Sequence, residues 1–148
     1  MRHSRQIYLL AEALASTPRE DGAQRLFGAV LAVRSEVERE AMQSCFHRLC
    51  RFDFNDPVYL IALAASYLLS GRYRPAAVCF DIVHLMTPAE PGALWLGALC
   101  HLALGRRKAG CRRLAVLRVT RQNARLRRRA VAALVYLRWR MRRDFRVF

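Results

Sequence analysis

Acidic residues almost vanish from this chain after Gly105: between Arg106 and Phe148 there is Asp144 alone, against sixteen basic residues. Up to Gly105 ten arginines balance ten acids, so the whole excess of +15 sits in the last 43 residues. Lysine is scarce as well, Lys108 being the one lysine among 26 basic side chains, which fits an arginine-favouring codon usage. Long β-branched runs are missing and glycines number seven, which argues against an all-β fold, while 54% apolar residues argue against disorder. The five cysteines, Cys45, Cys50, Cys79, Cys100 and Cys111, are odd in number and form no CxxC pair, so a disulfide framework is not expected and a reducing compartment is.

Other absences remove whole function classes. No glycine-rich phosphate loop is present, and His3, His47, His84 and His101 have no serine or cysteine partner at a recognisable spacing, so no enzyme is expected. Glu36, Glu38 and Glu40 alternate along a helix and therefore spread around it. Cys45, His47 and Cys50 have a ligand flavour but lack the paired spacing of structural zinc sites; no metal and no cofactor is expected. The apolar stretch Ile7 to Ala11 is too short for a signal peptide, and residues 57–71 and 91–105 are too short to span a bilayer. A cytoplasmic protein without stable membrane insertion is the expectation.

What the chain does contain is a repeat. Gly71 and Gly105 lie 34 residues apart, and at that offset Leu60 pairs with Leu94, Ala64 with Ala98, Leu68 with Leu102, Ala76 with Gly110 and Phe80 with Leu114. A 34-residue period of small facing small and large facing large predicts an all-α fold of stacked tetratricopeptide-like helical hairpins. Three parts are expected within one domain: a helical block over 1–52, two repeats over 56–122 and an Arg-rich capping helix over 123–148.

Punctuation refines this reading. Ser4 to Ala15 reads as a helix, Thr17-Pro18-Arg19-Glu20 opens a second towards Val33, and Ser35 to Glu38 opens a third towards Arg51. Asp56-Pro57 starts the first hairpin, Gly71 turns it, and Arg74-Pro75 begins the return to Met86. Thr87 to Glu90 suggests another capping box before Pro91 to Leu104 and Arg107 to Val119. Leu126, Ala130, Ala133, Leu134, Leu137 and Met141 then fall at helical spacing, a stripe suited to closing the open end of the stack.

In stacks of this kind the leading helix of each hairpin lines the concave face. A helical projection places Val58, Ile61, Ala65 and Leu68 there from the first hairpin, and Trp95, Leu99 and Leu102 from the second. The face is apolar and uncharged, so it suits the apolar side chains of another polypeptide. A separate basic patch is expected from Arg127, Arg128, Arg129, Arg138, Arg140, Arg142 and Arg143.

The stretch from Tyr67-Leu68-Leu69-Ser70-Gly71-Arg72-Tyr73 through Leu94-Trp95-Leu96-Gly97-Ala98-Leu99-Cys100-His101 to Gly105 resembles the tetratricopeptide chaperones of type III secretion systems, in the class that escorts hydrophobic translocators. The resemblance implies a client, a secreted translocator or needle subunit, held in the concave groove and kept soluble until export. It also implies a homodimer through the amino-terminal helices. The arginine block departs from that family, and it keeps a second reading open, a helical protein that binds nucleic acid or an acidic partner through its carboxyl-terminal region.

Overall fold

Proline follows a capping position twice in mid-chain, at Asp56-Pro57 and Glu90-Pro91, and both pairs open helices of thirteen residues. The computed structural model describes residues 21–146 apart from 34, 54, 89, 121 and 122, without the side chains of 21–24 and 141–146. The expected helix over Ser4 to Ala15 and the Thr17 to Glu20 box lie outside the described residues. Within them there are seven helices and no strand: α1 (Asp21–Ala32), α2 (Glu36–Phe52), α3 (Pro57–Leu69), α4 (Tyr73–Met86), α5 (Pro91–Ala103), α6 (Arg107–Val119) and α7 (Ala124–Arg146).

The hairpins α3–α4 and α5–α6 form as expected, and each turns on its glycine. Gly71 and Gly105 have φ of 72° and 76°, a left-handed conformation that glycine adopts at no steric cost. Around the first, Arg72 N–H donates to Tyr67 O at 2.9 Å and Gly71 N–H to Leu68 O at 3.1 Å. Around the second, Arg106 N–H donates to His101 O at 2.8 Å and Gly105 N–H to Leu102 O at 3.1 Å. Both turns are therefore the same Schellman closure, which satisfies carbonyls that the helix end would leave bare. The Arg72 guanidinium, 5.1 Å from the Tyr67 ring centroid, lies across the first turn.

Two capping expectations fail. Ser35 stands at the N-cap of α2 but its side chain makes no cap bond; Glu36 pairs with Arg39 instead. Thr87 ends α4 rather than starting α5, and Glu90 takes the capping position itself without a side-chain cap bond. Asp56 does cap, accepting from Val58 N–H at 2.9 Å.

Packing runs in sequence order. α3 lies against α1, α2 and α4; α4 also meets α5; α6 lies between α5 and α7. Phe27 and Val30 of α1 and Phe46 of α2 join the same buried cluster as Ile61, Leu63, Phe80, Leu94, Leu114 and Leu126. α7 closes the end through Leu126 and Ala130, which are fully covered. None of the helices among the described residues is long and apolar enough to cross a membrane.

Neighbouring helices approach closely where side chains are missing. A Cβ on Gly97 would sit 3.2 Å from Phe80 Cβ, and one on Gly110 would sit 2.7 Å from Leu102 Cγ and 3.3 Å from the Ala98 carbonyl oxygen. Gly110→Val is expected to cost about 2 kcal/mol of unfolding free energy through overpacking. In the Leu102→Ala background the same substitution costs less, because the blocking side chain is gone. Urea denaturation of the four proteins tests this; strictly additive losses would contradict the close crossing.

Candidate functional site

The seven residues assigned to the concave face do not share one environment. Ile61, Ala65, Leu68 and Trp95 are 1%, 0%, 8% and 8% exposed, so the expectation that they line an open face is corrected. The cause is that α3 and α5 are apolar all round and are covered all round: Ile61 to Leu69 and Pro91 to Ala98 are continuously buried. Val58, Leu99 and Leu102 are half-buried and pack against the edge of the core. They are the part of the assigned set that solvent reaches.

An opening does lie beside Leu102. Leu102, Gly105 and Arg107 from the second hairpin and Leu137 and Arg140 from α7 line a hollow of about 280 Å3. Its floor is aliphatic and its rim cationic. Two turns of α5 upstream of Leu102, the Trp95 indole is buried with its Nε1–H lacking an acceptor, an arrangement that costs about 1–3 kcal/mol unless something supplies one.

The basic residues of α7 do not make one patch. At 100° per residue, Arg127 and Arg138 fall on one side of the helix, Arg129 and Arg140 on the opposite side, and Arg128 between them. Arg128, Arg138 and Arg140 are exposed, while Arg127 and Arg129 are half-buried. The side chains of Arg142 and Arg143 lie outside the described residues.

Polar chemistry concentrates between helices. Asp81 of α4 accepts hydrogen bonds from His101 Nε2 of α5 and Arg113 of α6, both at 2.9 Å on the same oxygen. Burial would raise the Asp81 carboxyl, but these two bonds override it and hold it below its ordinary value. His84, one turn along α4, is lowered by burial first and by Arg113 second. Cys79 and Cys100 are pushed up to about 11 and about 12 by burial, so both stay as inert thiols in the core. Cys45 is exposed, and Cys50 and Cys111 are half-buried. His47 is bonded to the Tyr67 hydroxyl, and no cluster among the described residues could hold a metal ion.

No protein-family model matches the chain, and no curated protein does. Solved structures do. PcrH in complex with the chaperone-binding region of PopD is 25% identical with a TM-score of 0.68, over 84% of this chain and 96% of that one. PcrH from Pseudomonas aeruginosa gives 25% and 0.63 over 81% and 94%. SycD of Yersinia enterocolitica with a peptide of the translocator YopD gives 20% and 0.67 over 83% and 97%. The fold is that of the type III secretion translocator chaperones.

Within that fold, a polar seam escaped the sequence. Arg39 of α2 is only 3% exposed. Its guanidinium donates to Val33 O at 3.2 Å and, across the interface, to Leu69 O at 3.4 Å. Gln43 Nε2 donates to Ser70 Oγ at 3.1 Å. The seam ties α2 to the carboxyl end of α3. The signal was the spacing of Arg39, Gln43 and Phe46, which puts two polar residues on a core-facing stripe that periodicity reserves for apolar ones.

Because the Asp81 carboxyl is depressed in the folded protein, its contribution is fully present above the ordinary value of 3.8 and is lost as pH falls through the lower folded value. His84, lowered from 6.5, begins to destabilise nearer neutrality and in the same direction. The Asp81→Asn protein should therefore be less stable at neutral pH and show a flatter acid limb. Urea midpoints measured from neutrality into the acid range check this, and parallel curves for the two proteins would refute it.

Proposed function

We propose that this protein is a type III secretion chaperone that holds an apolar segment of a secreted translocator against its leading helices until export. The observation that carries this reading is the fold shared with PcrH bound to the chaperone-binding region of PopD, at 25% identity over 96% of that chain. The chemistry of the face agrees. α3 and α5 carry no Asp, Glu, Lys or Arg, and the imidazole of α5, His101, is buried against Asp81, so the two helices offer a large apolar area to a hydrophobic ligand and little to a charged one.

Val58, Leu99 and Leu102 are the accessible anchors in this reading, with Ile61, Ala65, Leu68 and Trp95 as their buried support. Masking works by area: each Å2 of apolar client surface withdrawn from water contributes about 25 cal/mol and stops contributing to aggregation. A needle subunit is the alternative client of the same face. The role is one of binding and not of catalysis, and it places the protein in the cytoplasm. A homodimer through the first helices belongs to the same proposal, in line with the dimer described for SycD.

Val58→Glu and Leu99→Glu each place a charge on a half-buried position at the edge of the core. Co-expression with a hydrophobic translocator, followed by pull-down in about 1 M NaCl where surface charge is screened, should recover at least about tenfold less client while the helical circular dichroism is unchanged. Trp95→Glu is unsuitable, because it buries a charge. Undiminished co-purification in both variants would remove the leading-helix face as the client site, and loss of wild-type binding at high salt would favour the arginine-rich end.

A further inference from the structure

α7 stands to α6 as α5 stands to α4. The 34-residue offset carries Ala77 to Cys111, Asp81 to Ala115, Gly97 to Val131, Cys100 to Leu134 and His101 to Val135. In the inner position the surface between α4 and α5 is sealed: Ala77 and Cys100 are 0% exposed and His101 is 4%. The helix that seals it is α6, whose Arg113 reaches down to Asp81. At the corresponding place between α6 and α7, no helix follows among the described residues. There Val131 is 41% and Val135 64% exposed.

The result is a trench of about 610 Å3 between α6 and α7. Its floor is aliphatic: Ala115, Val131, Leu134, Val135 and Leu137. Lys108, Arg112, Arg118 and Arg138 stand along its walls, and α6 and α7 carry no acidic side chain between Arg107 and Arg140. From Lys108 to Arg118 the trench runs about 15 Å at 1.5 Å per residue, close to three helical turns.

We propose that this trench is the seat of a follower helix supplied by a partner polypeptide, amphipathic, with an aliphatic face for the floor and acidic residues along both flanks. The inference goes beyond the client reading and does not depend on it. Shape comes from the repeat: the seat has the register of a surface that the chain itself covers with a helix one hairpin earlier. Chemistry comes from the replacements. Asp81, which pairs with Arg113 of the follower inside the stack, and His101, which bonds Asp81, become Ala115 and Val135, so the occupant presents apolar groups at the centre. Its charge follows from the walls.

The carboxyl-terminal region of a second copy is a poor occupant, because it brings more arginine against arginine. Nucleic acid lacks what it needs there, since the floor holds no aromatic ring for a base to stack on. A bilayer surface is flat and does not enter a trench between two helices.

The test uses the full chain and a synthetic helical peptide of about 14 residues, roughly 21 Å long, with a Leu/Ala face and Glu flanks. Control probes are the same peptide with Lys flanks, anionic phosphatidylserine vesicles and a single-stranded oligonucleotide. Fluorescence anisotropy should show the Glu-flanked peptide binding at least about tenfold tighter than the Lys-flanked one. Ala115→Trp, which fills the floor, should weaken it by a similar factor, whereas Leu99→Glu leaves it unchanged. The pair Arg112→Glu and Arg138→Glu should invert the preference between the two peptides, a result that misfolding cannot produce. Bound peptide should also shield Cys111, which lines the trench, from alkylation while exposed Cys45 still reacts. Equal binding of the two peptides, indifference to Ala115→Trp, or no shielding of Cys111 overturns the proposal. So does binding of the vesicles or the oligonucleotide that Ala115→Trp abolishes while the acidic peptide fails to bind.

Discussion

Neighbouring helices in this stack touch through places where a side chain is missing or minimal, and the rest of the architecture depends on those contacts. Gly97 lets α5 come down on Phe80, and Gly110 lets α6 come down on Leu102 and on the Ala98 carbonyl. Ala76, in register with Gly110, is itself fully buried. Larger residues there would push the axes apart and pull apolar area out of the core on both sides of the crossing, so packing density and repeat geometry are the same constraint. The glycine turns at 71 and 105 serve it by reversing the chain within a few residues, which keeps each follower close enough to lock onto its leader.

That constraint also sets what the molecule can offer to others. A leading helix that must pack on a follower, on the previous hairpin and on the next has little surface left, and α3 is enclosed from Ile61 to Leu69. On the leading helices accessible apolar area is confined to half-buried positions such as Val58, Leu99 and Leu102, while Val78, Ile82 and Leu85 of the follower α4 stand exposed. Binding in such a stack works at the margin between core and surface, where a side chain supports the fold with one edge and meets a partner with the other. Trp95 shows the tension: its ring is committed to the core while its N–H has no acceptor.

The charge asymmetry has a structural counterpart. The inner hairpin junction is neutralised locally, one carboxylate at Asp81 meeting His101 and Arg113 from the two helices beyond it. One hairpin further on, the carboxylate and the imidazole are gone while arginines remain along the flanks. The repeat therefore ends chemically different from how it runs, apolar in the middle and cationic at the sides.

Period, hairpin boundaries and the two glycine turns were legible in the sequence, because they depend on local backbone preferences and on side-chain size at a fixed offset. The class of fold followed from them. Which apolar residues face outwards was decided by the tertiary structure alone, since α3 and α5 are apolar on every side and a one-dimensional pattern carries no moment to orient them. The same holds for Arg39 and Gln43, whose burial depends on carbonyl and hydroxyl groups some thirty residues away, and for the arginines of α7, which read as one block along the chain but are dealt around the helix by its 100° step.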